Sequence, residues 1–549
     1  MGNMDPLPTK PRGRLLQGGG AESRHDLGAA TVNAGLWVLA GSRQGSTMSL
    51  APMLLEIHVR QWLVELSQRR GREIDLYAIP EDELDRLAES GITHLWLMGV
   101  WPTGPLSRRE AQTLPTLRRA YEEALPGFAD ADIAGSPYAV AAYHVPPTLG
   151  GDAGLAALRM RLRERGVGLI LDFVPNHTGL DFHWAHSRPH LYVGSPTPFA
   201  DSIALHVGSG SRSVAFGKDP YFPGWTDTLQ IDFRRPESRK AVVDLIASVA
   251  ARCDGVRVDM AMLLLNEVFE STWAHVPVVD AHGHSLPRIG EEFWWKAIAD
   301  IKALHPDFVF IAEAYWGKED ALIDLGFDFA YDKTLTDRLV HHDGAGAVAH
   351  LYGMGERNQR RVHFLENHDE ERIATRLDLD EHRAAALLTL ALPGVRFLHD
   401  GQNEGRRVFA RIQLLRRKKE EHDAAIAALY DAILRALRDS CVGDGDAALI
   451  PPLPASPGNE THRRFAIIQW QRKGDADSFD LVVVNLSPGR AQCRARLTAQ
   501  GIGAGSFQLT DLLGPQRWVR DGLEMKTEGL FLDVEPWASQ LFSFRRRES

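Results

Sequence analysis

Cysteine is nearly absent. The 549 residues contain three, Cys253, Cys441 and Cys493, too few and too scattered for a disulfide framework or a zinc site, which points to a reducing, cytoplasmic setting. Long apolar runs are missing as well, so no membrane-spanning helix is expected, and the N-terminus lacks the compact apolar core of a signal peptide. Nor is there an excess of basic charge. Against 72 Asp and Glu stand 62 Lys and Arg, a formal net charge of -10, so neither nucleic acid nor a membrane surface is an expected partner. The one dense basic run, Arg416-Arg417-Lys418-Lys419, is followed at once by Glu420 and Glu421 and reads as a solvated helix face. Residues 1–47 are polar and glycine-rich, with no periodic apolar face, and are expected to be a disordered extension, with Met48 as an alternative start.

What is present is organised around residues 253–262, CDGVRVDMAM. A short β-branched run ends on a carboxylate, Asp259, as a buried parallel strand does where it reaches its C-terminal end. Arg257 and Asp259 are two apart and share a face of that strand. A guanidinium there would keep Asp259 ionised, the state a nucleophile needs. A buried structural ion pair explains this decapeptide alone equally well.

The rest of the chain supplies the context. Apolar strand candidates at 54–63, 93–100, 167–174, 255–258, 307–312, 327–331, 362–365 and 395–398 alternate with helical segments, among them 152–165, 237–252, 291–304, 382–392 and 416–438. Eight strands alternating with helices predict a (β/α)8 barrel. Residues 101–151 read as a long loop, and 178–236, with weak periodicity, as an inserted subdomain after strand three. Beyond residue 439 short alternating strands at 465–471, 479–485, 490–497 and 540–544 predict a separate all-β sandwich. The expected division is thus 1–47, a barrel over 48–438, and a β domain over 439–549. Strands three, four, five and seven end in His177, Asp259, Glu313 and Asp369, at the end where barrels carry their chemistry. Clustered carboxylates repel one another, and a shared function accounts for them better than four independent structural roles.

Four short motifs carry a resemblance. Asp172-Phe-Val-Pro-Asn176-His177, Gly255-Val-Arg257-Val-Asp259, Ile311-Ala-Glu313 and Phe364-Leu-Glu-Asn367-His368-Asp369 are similar, in order and placement, to those of the α-amylase family (glycoside hydrolase family 13). Residues 401–405 (GQNEG) resemble a further turn of that family. The resemblance implies an enzyme cleaving α-glucosidic oligosaccharides or disaccharides with retention. Asp259 would be the nucleophile, Glu313 the acid and base, and Asp369 the group that holds sugar hydroxyls in the transition state. Arg257, His177 and His368 would support the reacting sugar, and Tyr138 would stack on it. Arg372 would bind that sugar or pair with Glu370 or Glu371. No cofactor is implied. Asn176 matches a calcium ligand of some members, against a plain role in closing the turn after strand three. Transglycosylation by the same carboxylates is the alternative activity, and a non-catalytic carbohydrate-binding protein a third. Met262, Leu263, Ala139 and Ala142 stand where many members carry polar residues, which leaves linkage and chain-length preference open.

Overall fold

A computed structural model describes residues 51–207, 210–279, 285–286 and 290–547; the disordered extension expected over 1–47 lies outside them. Eight short strands form a closed barrel: β1 (Met53–His58), β2 (His94–Met98), β3 (Gly168–Phe173), β4 (Gly255–Val258), β5 (Val309–Ala312), β6 (Phe329–Tyr331), β7 (Arg361–His363) and β8 (Val395–His399). Each pairs in parallel with its neighbours in chain order, and β8 closes on β1. The register sets Glu56 beside Trp96 and Asp172 beside Arg257. All four side chains are buried, so the barrel interior holds charge as well as carbon.

Local chemistry corrects three sequence expectations. The predicted strand over 54–63 stops at His58, whose Nδ1 accepts from the N–H of Gln61 and caps a helix over Val59–Arg70. Val59, Trp62, Leu63 and Leu66 are buried at helical spacing, a period that a strand cannot bury on one face. The predicted loop after β2 contains two helices, Pro105–Thr113 and Pro115–Ala124. Each opens on a proline, whose missing N–H and fixed φ suit the first helical position. The predicted helix over 416–438 starts only at Ala424, capped by Asp423. Upstream, Arg416 binds Asp132, and Arg417, its side chain 6% exposed, binds Glu65 and Asp400. The two arginines of the basic run are therefore charge-paired and lie outside a helix, while Lys418 and Lys419 are exposed.

Between β3 and β4, His177–Gly179 pairs with Thr228–Gln230, while Gly194–Ser195 and Ser202–Val207 both pair with Gly210–Ala215. After the barrel come a six-stranded and a three-stranded antiparallel sheet. Ile467, Phe479, Leu481, Val483 and Phe544 face the core between these sheets, while Ala466, Ile468, Trp470, Val482 and Val484 pack with the helices Leu379–Ala391 and Ala424–Arg438. Trp470 donates its indole N–H to the carbonyl of Ala391 at 2.9 Å. The central strands of the larger sheet, Phe465–Gln471 and Ser478–Asn485, are thus buried on both faces, and they join the β domain to the barrel. Among the described residues no helix is long and apolar enough to cross a membrane.

Burial also determines how this frame responds to acid. It pushes His58 down to about 3 and His94, His177 and His382 down to about 4. The folded protein then binds fewer protons than the unfolded chain, so this contribution is complete above the ordinary histidine value near 6.5 and is lost as pH falls toward 4. Asp172 and Asp227, raised by burial to about 6, act in the opposite sense over much of that window, but they are two against four. Thermal melts between pH 7 and 4 should therefore show a falling Tm, and a constant Tm over that range would contradict this assignment.

Candidate active site

Strand β4 ends in the central cation of the site. Arg257 is completely buried and its guanidinium is shared. Nη1 donates to Asp259 Oδ1 at 2.9 Å, Nη2 lies 2.8 Å from Glu313 Oε2, and Nε donates to the Tyr331 hydroxyl at 3.2 Å. Asp172 is 3.7 Å from Nη1. The rings of Trp96, Tyr138 and Tyr331 surround the cation, with centroids at 5.2, 5.3 and 5.7 Å. Weakly hydrated and planar, a guanidinium suits such an aromatic cage better than an ammonium would. Burial raises Asp172 to about 6 even though Arg257 pulls it down.

The turn after β4 is tied to the end of β5. Glu313, fully buried, accepts from the N–H of Met260 at 2.7 Å through Oε2 and from the Tyr315 hydroxyl at 2.8 Å through Oε1. Its backbone carbonyl accepts from Ala261 N–H at 3.0 Å. Met260 has φ 43° and ψ 47°, a left-handed conformation that costs a side-chain-bearing residue about 1–2 kcal/mol. Both N–H groups of this turn point at one glutamate, which holds the strained backbone in place.

Beyond β7 the polar groups form a second chain. His368 places Nδ1 2.5 Å from Glu56 Oε1, and Nε2 3.2 Å from Asp369 Oδ2 and 2.8 Å from the Tyr138 hydroxyl. Tyr138 also stacks on the imidazole at 5.3 Å. Burial alone would lower the His368 pKa, but Asp369 and Glu56 outweigh it and raise the group to about 10. Asp369 is the most open of the three carboxylates, its side chain 29% exposed against 10% for Asp259 and 0% for Glu313.

The structure thus brings Asp259, Glu313, Asp369, Arg257, Tyr138 and His368 to one end of the barrel. His177 lies beside them, 4% exposed, with its ring 5.1 Å from that of Trp225. Two residues are placed differently. Arg372 is 1% exposed, with Nη1 on Glu366 at 2.6 Å, on His399 Nδ1 at 2.9 Å and on the carbonyl of Asp400 at 2.9 Å. Its ion pair is with Glu366, not with Glu370 or Glu371. Asn176 forms a reciprocal amide pair with Gln230, at 3.2 and 2.9 Å. That pairing closes the turn and engages the oxygen a calcium ion would need. Among the described residues no group of three or more His, Cys, Asp or Glu is placed to hold a metal ion.

Sequence reasoning missed Glu56, Met260, Tyr315 and Tyr331. The signal for Glu56 was there: an acid inside the apolar run MLLEIH, where an isolated charge is costly to bury.

No family model matches the chain. It is 21% identical over 345 residues to "Alpha-amylase 3" of Dictyoglomus thermophilum, covering 59% of each chain. To the intracellular maltogenic amylase of Bacillus subtilis it is 23% identical over 261 residues, 45% of this chain and 39% of that one. The chain thus spans about three fifths and two fifths of these curated relatives. Among solved structures, a noncanonic maltogenic alpha-amylase from Thermotoga neapolitana superposes with a TM-score of 0.61 at 16% identity, over 91% of this chain and 100% of that one. An alpha-amylase from Geobacillus thermoleovorans, complexed with acarbose, gives 0.60 at 17% identity, over 92% and 100%. These structures share the fold. The sequence relatives are amylases, and the chain is similar to them in sequence and to amylases in fold, without singling out any one of them.

Proposed function

We propose that the protein is a retaining glycoside hydrolase acting on α-glucosidic oligosaccharides or disaccharides. The observation that carries this reading is the single buried guanidinium of Arg257 held between Asp259 and Glu313. Retaining enzymes need two carboxyl groups about 5–5.5 Å apart, whereas inverting enzymes leave about 6.5–9.5 Å for a water molecule. One guanidinium bridging both carboxylates favours the closer spacing. In the first step Asp259 attacks the anomeric carbon while Glu313 protonates the departing oxygen. In the second, Glu313 takes a proton from water, which displaces Asp259. Asp369, with His368 behind it, would hold sugar hydroxyls as the ring distorts. The buried, unpaired thiols of Cys253, Cys441 and Cys493 fit action in a reducing cytoplasm.

The test is turnover of a panel containing maltose, sucrose, trehalose, maltooligosaccharides and starch, with the first-formed anomer followed by NMR. An α-anomer appearing before mutarotation is expected. A β-anomer first would reverse the stereochemistry, and no turnover of any α-glucoside would overturn the reading. Adding excess sugar acceptor reveals whether water or a sugar hydroxyl completes the second step.

Chain length is the next expectation. Met262 and Leu263 are 0% and 3% exposed within the core and offer nothing to a sugar. Trp101 and Trp184 are likewise buried. Trp225, the third tryptophan of these loops, is half-buried against His177, and Tyr221, 61% exposed, meets Trp316 edge-on at 5.0 Å; Trp316 is three residues past Glu313. This offers stacking for one or two sugars, not for a polymer. Remote binding energy that lowers the barrier on long substrates is therefore small, and kcat/KM should level off within a few sugar units and be lower on starch. A steep rise continuing into soluble starch would refute this.

A further inference from the structure

Glu56 has no part in the four motifs, yet it is completely buried in the barrel interior with Oε1 2.5 Å from His368 Nδ1. The other ring nitrogen, Nε2, faces the Asp369 carboxylate at 3.2 Å and the Tyr138 hydroxyl at 2.8 Å. A neutral imidazole has one N–H, and an ionised carboxylate only accepts. With a carboxylate at each end of the ring, both contacts are satisfied only when both nitrogens carry protons. We propose that Glu56 is a positioning residue that keeps His368 doubly protonated, so that Nε2–H is a standing donor toward Asp369 and the sugar hydroxyls it binds. This deepens the glycosidase reading and rests on it for the sugar, though not for the state of the ring.

The surroundings agree with this assignment. Glu56 (β1) and Asp369 (the loop after β7) flank the ring, with Tyr138 stacked on it and Trp96 of β2 edge-on at 5.7 Å. Asp172 on β3 adds a further acidic group to its field, while His58 at the end of β1 is held neutral by burial. Arg257 on β4 and His399 on β8 act on Glu56, the latter 4.0 Å from Oε2. Arg257 is already committed to Asp259 and Glu313, which leaves His368 as the cation in hydrogen-bonding reach of Glu56. A glutamine at 56 would remove the acceptor charge and let the ring lose a proton in the ordinary histidine range near 6.5.

The experiment reads the ring directly. In full-length protein labelled with [15N]histidine and free of substrate, the His368 resonances are assigned by their loss in His368→Asn. Both nitrogens should remain protonated in the wild type from pH 6 to above 8. In Glu56→Gln the ring should titrate near neutrality, and in Glu56→Asp, which keeps the charge, it should stay protonated at pH 7. With an active substrate, Glu56→Gln should lose kcat/KM about 10- to 100-fold, the range for a hydrogen bond to a charged group, and gain an alkaline limb near neutral pH that Glu56→Asp lacks. A neutral His368 in the wild type at pH 7, or a ring unchanged by Glu56→Gln, overturns the proposal. If Glu56→Gln does not fold, the wild type and Glu56→Asp still decide it. The NMR result needs no turnover, so a failure of the glycosidase reading and a failure of this role are told apart.

Discussion

Asp259→Asn is expected to abolish turnover while leaving the protein folded. Asp259 follows β4, is 7% exposed, and has its carboxylate oriented by Arg257 at 2.9 Å. The substitution keeps the shape of the side chain and removes the charge that attacks the anomeric carbon. Loss of a covalent nucleophile closes a reaction path instead of weakening a contact, so kcat should fall on the order of 10⁴-fold or more. Arg257 keeps Glu313 and Asp172 as counter-charges, so the thermal midpoint should move little. The check is single-turnover kinetics on a maltooligosaccharide beside a thermal melt. Activity within tenfold of wild type would remove Asp259 from the mechanism, and a collapsed melting curve would show that its role is structural.

The largest stability effect should come from Arg257→Met. The guanidinium touches Asp259 and Glu313, approaches Asp172, and lies within an aromatic cage. Methionine can fill part of the cage but cannot compensate three buried acids. Removing one partner of a buried ion pair costs about 3–5 kcal/mol, because the charge left behind is unpaired, even where the intact pair is worth little against an apolar core. The pH dependence follows from the same cause. Without the cation, the folded-state carboxylates rise above their unfolded values, so the mutant regains stability below the unfolded values and loses it as pH climbs through the raised ones. The difference from wild type in urea unfolding should accordingly be larger at pH 8 than at pH 5. Equal stability of the two proteins at both values would show that the carboxylates do not depend on this cation.

What the sequence determined by itself was the pattern that short-range physics writes. Runs such as VGLILDFV and DFVFIA alternate with amphipathic helical segments, and that alternation implies a parallel barrel because buried strands are apolar throughout while covering helices are not. An ionisable residue closing such a run is legible for the same reason: burying it is costly, so its place at a strand end carries information. Asp259, Glu313 and Asp369 were visible in this way. Tertiary structure alone decided what each of them touches. The partners come from distant parts of the chain, Glu56 on β1 against His368 after β7, and Met260 N–H against Glu313, and no local pattern encodes a pairing made by closing a barrel. The same holds where the sequence misled. Arg372 was read against its near neighbours Glu370 and Glu371, but Glu366 and His399 meet it in the fold. Arg417 looked solvated until Glu65, far off in sequence, and Asp400, on the other side of an intervening loop, closed around it. Periodicity is a property of adjacent residues and survives in one dimension; charge pairing depends on distances that exist only once the chain has folded.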